Sequence, residues 1–118
     1  MHAFVTDHII PPHWRGRPRP VLYNSWEGCT FDFSQRRLLS LANRAKALGC
    51  ELFVLDDGWF AGRDNDHAGL GDYAVNRKKL PEGLEGLSRH LKDKGLSFGL
   101  WFEPESVNPD SDLYRAHP

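Results

Sequence analysis

Three short stretches of the chain combine indole rings with carboxylates: Trp26-Glu27, Asp56-Asp57-Gly58-Trp59, and Trp101-Phe102-Glu103-Pro104-Glu105. An indole offers a flat apolar platform to the C–H face of a sugar, and a carboxylate accepts hydrogen bonds from its hydroxyls. The chemistry these residue types suit is therefore carbohydrate binding. A single Trp is more often a core residue, and a single acid more often a solvated one; three such groups at comparable places in the chain weigh against that plainer account. The Asp56-Asp57 pair is the sharpest of them. Two acids directly after the apolar Leu52-Phe53-Val54-Leu55 are costly to bury unpaired and call for cations, backbone donors or ligand hydroxyls. Capping of the loop that follows is the structural alternative. Adjacent residues on a strand point to opposite faces, so the pair can serve one ligand only where the strand has ended or bulged, which Gly58 permits. The acid and nucleophile of a glycosidase usually come from different elements, about 5–5.5 Å apart when retaining and about 6.5–9.5 Å when inverting. The adjacent pair is accordingly assigned to binding and not to bond breaking.

Each acidic stretch follows a short apolar run. Val21-Leu22-Tyr23 leads into Asn24-Ser25-Trp26-Glu27, Leu52 to Leu55 leads into Asp56, and Leu96 to Phe102 leads into Glu103. Between the first two, Asp32 as a cap with Gln35 three residues on, then Leu38, Leu41, Ala42, Ala45 and Leu48 at helical spacing and Gly49 as a stop, predict an amphipathic helix. Between the second and third, Leu84, Leu87 and Leu91 share a helical face, with Lys92 and Lys94 near the carboxyl end and Gly95 as the stop. Pro109-Asp110-Ser111-Asp112 opens a further helix through Leu113 and Tyr114. The unbroken apolar run at 52–55 predicts a parallel strand covered on both faces. Gly58 to Lys79 is rich in Gly, Asp and Asn and long enough to read as a functional loop. Met1 to Pro20 carries four prolines and reads as a lead-in without regular pairing. The recurring order of apolar strand, acidic exit, helix and glycine stop predicts α/β architecture, with parallel strands joined by right-handed helical crossovers and all three exits at one carboxyl-terminal edge.

Composition removes other functions. The 118 residues carry 15 Lys+Arg against 16 Asp+Glu, a net charge of −1, so there is no basic field for nucleic acid and no polybasic segment for an anionic membrane. Neither a transmembrane-length apolar run nor a secretory signal is visible, which makes the cytoplasm the expected location. Cys29 and Cys50 are expected as free thiols. Asp64-Asn65-Asp66-His67-Ala68-Gly69 begins like a calcium loop, but Ala68 and Val75 stand where oxygen ligands are needed. The six histidines form no ligand pattern, so no metal is expected. The turn after the first strand is too bulky for a dinucleotide phosphate, no phosphate-binding glycine loop occurs, and no cofactor is expected.

Residues 17–27, 51–60 and 98–105 (RPRPVLYNSWE, ELFVLDDGWF and FGLWFEPE), with Leu70-Gly71-Asp72 and Asn108 to Pro118, resemble the catalytic barrel of glycoside hydrolase family 36, the bacterial α-galactosidases. The resemblance covers about Pro18 to Pro118. It implies a (β/α)8 barrel of which this chain supplies about the first three β/α units, with residues 1–17 a lead-in and 18–118 the N-terminal part of the barrel. It implies a retaining hydrolase acting on terminal α-galactose in raffinose-type oligosaccharides. It assigns Asp56 and Asp57 to galactose hydroxyls and the tryptophans at 26 and 101 to the walls of the sugar pocket. The chain departs from the family at Ser25, at Gly28-Cys29 and at Ser106, which bears on pocket detail. The family's nucleophile and acid/base are aspartates on later strands, beyond Pro118 in this numbering, so the chain alone is expected to be inactive. A closed barrel needs about 250 residues, and an open sheet exposes its edge and the apolar helix faces, so independent stability is expected to be low. A raffinose-synthase-type galactosyltransferase and a non-catalytic galactose-binding fragment are the alternatives. The expected partner is a small galactoside, and full-length relatives commonly form homo-oligomers.

Overall fold

The computed structural model describes residues 1–118, and its centre is a three-stranded parallel sheet in the order β1-β2-β3 (Leu22–Asn24, Leu52–Leu55 and Ser97–Leu100). The register aligns Leu22 with Leu52 and Ser97, then Asn24 with Val54 and Gly99. Five α-helices accompany it: α1 (His2–Phe4), α2 (Trp26–Cys29), α3 (Gln35–Ala47), α4 (Gly83–Asp93) and α5 (Asp112–Ala116). No helix is long and apolar enough to cross a membrane.

The crossover helices form where their apolar spacing predicts, and the structure explains their ends. The cap of α3 is Ser34, not Asp32: the backbone of Ser34 is extended and its hydroxyl accepts the amide of Arg37, while Asp32 forms an ion pair with the Arg37 side chain at 3.1 Å. A cap must sit one residue before the first helical turn to reach the third amide of the helix, and Asp32 lies two residues too early. Leu38, Ala42 and Ala45 are buried as expected, but Leu48 falls just past the helix end and is 84% exposed. Gly49 and Gly95 adopt φ of 89° and 70°, the left-handed conformation that ends each helix. From α4, Leu87 and Leu91 join Leu38, Ala42, Phe53 and Leu55 in the core. Each fully buried Leu there contributes about 1.5–3 kcal/mol.

That core lies on one side of the sheet only. Phe53 and Leu55 are fully buried, whereas Leu52 and Val54 are half-buried and Leu22 is exposed. The expectation of a second strand covered on both faces is thus corrected: the helices cover the Phe53 face, and the Leu22, Leu52 and Val54 face stays open. The Cα radius of gyration, 16.3 Å, exceeds the roughly 13–14 Å of a compact domain this long. β3 is also shorter than the apolar run from Leu96 to Phe102, because its only partner, β2, ends at Leu55.

Two further segments depart from expectation. The lead-in is helical from His2, continuing beyond α1 as a wider turn over Val5–Ile9, because every proline of the segment lies after Ile9. Arg15 ties its end by donating to the carbonyls of Asp7 and Ile10. The 58–79 loop folds back on itself, with Phe60 bridged to Val75 and the Asn76 amide bonded to the Trp59 carbonyl.

Candidate functional site

The three acidic exits do meet at one edge of the sheet. Asn24, the last residue of β1, reaches across to β2: its side-chain amide donates to Asp56 Oδ2 at 2.5 Å, and its Oδ1 accepts the Trp26 amide at 2.7 Å. The Ser25 hydroxyl, 2% exposed within its residue, accepts the Asp56 amide at 3.0 Å. The Trp101 amide donates to the Leu55 carbonyl, continuing the β2-β3 ladder by one step and setting Trp101 beside Asp56. Trp26, Asp56 and Trp101 are each half-buried. Backbone pairing sets these three residues side by side as a shelf at the sheet edge, with one Asp56 carboxylate oxygen held by Asn24 and the other by the Asp57 amide.

Asp57 points elsewhere, as strand alternation requires. Its side chain is 8% exposed and that of Arg63 is 4% exposed, and the two form a two-point ion pair: Nη2 to Oδ2 at 2.7 Å and Nε to Oδ1 at 2.9 Å. The Gly58 amide adds a third donor to Oδ1. The hydrogen bonds that Arg63 donates to Asp57 lead the causes that raise the Arg63 pKa above its usual value, so the guanidinium stays charged in spite of burial. A carboxylate offers about four acceptor positions, and these three donors leave about one for a ligand. The structure therefore brings Asp56, Trp26 and Trp101 together on the shelf and sets Asp57 behind it.

Trp59 is part of the framework. Its side chain is among the largest fully buried ones, and its indole N–H donates to the Trp101 carbonyl at 3.0 Å. Its ring stacks on Tyr73 and meets Phe60 and Phe102 edge-on, and the Tyr73 hydroxyl donates to the Glu103 carbonyl. This aromatic block braces the β3 exit against the 58–79 loop. Burial raises the Tyr73 pKa, so the hydroxyl keeps its proton for that bond. Glu27 and Glu105 are exposed and stand apart from the shelf contacts.

A second brace closes the loop from the other side. Asn108 and Leu70 exchange bonds, the Leu70 amide going to Asn108 Oδ1 and the Asn108 amide to the Leu70 carbonyl. Asp72 caps α5 by accepting the amides of Asp112 and Leu113. The Leu70-Gly71-Asp72 and Asn108-Pro109-Asp110-Ser111 stretches are thus two halves of one clamp.

The family model for melibiase matches residues 1–118. The chain belongs to the melibiase family, glycoside hydrolase family 36. It is 54% identical over 117 residues to the α-galactosidase AgaA of Geobacillus stearothermophilus, covering 99% of this chain and 16% of that protein. It is 47% identical over 119 residues to an α-galactosidase of Escherichia coli, again covering 99% and 16%. A crystal structure of a family 36 AgaA variant in complex with raffinose superposes with a TM-score of 0.90 at 48% identity, over 98% of this chain and 16% of that one. The chain thus spans about one sixth of the length of the relatives it matches.

Spacing alone did not single out four residues that build the edge. Asn24 and Ser25 were visible only as polar residues ending an apolar run. Arg63 and Lys79 were single charges in a polar loop, and nothing local ties either to an acid or carbonyl far away in sequence. None of the four surface cavities of the chain is lined by Trp26, Asp56 or Trp101; the shelf is an open edge.

Proposed function

We propose that this chain forms the first three β/α units of a (β/α)8 α-galactosidase barrel and supplies one wall of its galactose site. Asp56 accepts galactose hydroxyls directly, Trp26 and Trp101 flank the ring, and Asp57 contributes its remaining acceptor position from behind. Residues 1–17 lead into the barrel and 18–118 begin it. The observation that carries this reading is the Asn24 side chain, which joins Asp56 and Trp26 in one bonded unit beside Trp101. The named activity of the relatives and the raffinose bound to one of them support the substrate class. The open edge and the uncovered Leu22, Leu52 and Val54 face are what further strands of a longer polypeptide would cover.

In this reading the reaction is retaining hydrolysis of terminal α-galactosyl groups in small oligosaccharides, carried out by a cytoplasmic homo-oligomer. The acids of this segment bind, and the pair that breaks the bond comes from later strands. The test begins with the intact mass of the native gene product and its activity on p-nitrophenyl α-galactoside and raffinose. A mass several times 13.5 kDa with α-galactoside turnover is the expected result. In that polypeptide Asp56→Ala raises KM about tenfold or more by removing a charge-assisted acceptor. Turnover of α-galactosides unchanged by Asp56→Ala refutes the shelf as the sugar site.

A further inference from the structure

The shelf has components from two loops distant in sequence, and one buried ammonium joins them. Lys79 Nζ donates to the Phe31 carbonyl at 3.0 Å, to the Gly58 carbonyl at 2.9 Å and, at longer range, to the Arg63 carbonyl at 3.5 Å, and it forms an ion pair with Asp64 Oδ1 at 2.8 Å. The three carbonyls take up the three ammonium protons and the Asp64 carboxylate balances the charge, which is why this cation tolerates a side chain only 13% exposed. The ring of Phe33 lies 4.9 Å from Nζ on another side.

The two shortest of these bonds reach segments that adjoin the shelf. Phe31 follows β1 and α2, and its ring meets Trp26 edge-on at 5.1 Å. Gly58 follows Asp57 and donates its amide to the Asp57 carboxylate. The loops touch where the ammonium joins them: a Cβ added to Gly58 would lie 2.9 Å from Phe31 Cδ1 and 3.4 Å from Phe31 Cα. The Lys79 carbonyl also accepts the Gln35 amide at the start of α3, so the lysine is itself anchored.

We propose that Lys79 is a positioning residue of the galactose site, holding the Trp26 platform and the Asp56-Asp57 turn at the separation that one sugar ring requires. The inference rests on the galactose-site reading above. The ammonium does not touch the sugar. It ties the segment at Phe31 to the segment at Gly58, so that binding does not have to bring them together. Arginine cannot replace it, because a planar fork does not direct three donors to three convergent oxygens.

The test is the inhibition constant of free galactose against α-galactoside hydrolysis, measured in the complete polypeptide that carries this segment. That constant does not depend on the fraction of molecules folded, so a merely structural role leaves it unmoved. Lys79→Met is expected to raise it about tenfold or more, and Lys79→Arg is expected to fail to restore it. Leu87→Ala, a cavity in the core remote from the shelf, is expected to lower thermal stability and leave the constant within about twofold. An unchanged constant in folded Lys79→Met overturns the inference while the galactose-site reading stands. A wild-type polypeptide that neither hydrolyses α-galactosides nor responds to galactose overturns the reading itself. If Lys79→Met does not fold, Lys79→Arg is read in its place, and failure of both to fold also overturns the inference, because Lys79 is then structural.

Discussion

Replacing Asp57 by Asn tests the buried ion pair behind the shelf without changing side-chain volume. The substitution puts an amide NH2 where one carboxylate oxygen now accepts from Arg63, so donor faces donor and the guanidinium is left charged with a side chain 4% exposed. At 2.7 Å and an effective dielectric of about 20 the direct attraction is about 6 kcal/mol. Desolvation of both ions offsets part of this, and breaking such pairs typically costs about 3–5 kcal/mol. The lower end applies here, because Arg63 Nη1 keeps its bond to the Ala68 carbonyl at 2.9 Å. The effect is local, so amide hydrogen exchange in the native polypeptide is the appropriate assay. The amides of Arg63, Leu70 and Asn76, all bonded within the loop assembly, report its opening. A loss of about 3 kcal/mol accelerates their exchange about 100-fold. Arg63→Met should do the same, and the double variant should cost less than the sum of the two. Exchange in Asp57→Asn within about fivefold of wild type, or strictly additive single effects, would show that the pair does not hold the loop and that the electrostatic argument is wrong.

Two further perturbations follow from the same geometry. Gly58→Ala should destabilise the protein by roughly 1–3 kcal/mol, because φ is 92° and the new methyl meets Phe31 at 2.9 Å; displaced Phe31 should also raise the KM for α-galactosides, and a melting point and KM both unchanged would contradict this. The Glu82 carboxyl is held below its ordinary value of 4.5 by hydrogen bonds from His90 and then Gln35. A depressed carboxyl pKa adds stability above the unfolded value and loses it as pH falls through the folded one. Glu82→Gln should therefore lower the melting point slightly above the ordinary carboxyl range and converge with wild type as the pH falls through the folded value, and a difference that widens toward low pH would reverse the sign of the argument.

Much of this architecture is legible in the sequence. The unbroken apolar run at 52–55, the helical spacing of Leu38, Ala42 and Ala45 and of Leu87 and Leu91, and the glycine stops at 49 and 95 are local signals. Local signals survive folding because backbone conformation and apolar periodicity act within a turn or a strand. The same order of elements placed the tryptophans and acids at one sheet edge, since parallel strands joined by helices must point the same way. The joined motifs added the family, and with it the sugar chemistry.

Tertiary structure alone decided how those residues divide the work. Alternation said that Asp56 and Asp57 face opposite sides, but only the packed sheet showed that Asp56 lies on the open face bonded to Asn24 and that Asp57 lies behind it on Arg63. Trp59 and Trp101 follow similar runs, yet one is core and the other shelf, because the Trp59 N–H is used up in bracing the Trp101 carbonyl. Lys79 is 48 residues from Phe31 and 21 from Gly58, and no pattern of spacing announces a bond across that separation. Apolar patterning is written along the chain, whereas the pairing of a buried charge is settled only when the fold excludes water and determines which oxygens remain within its reach.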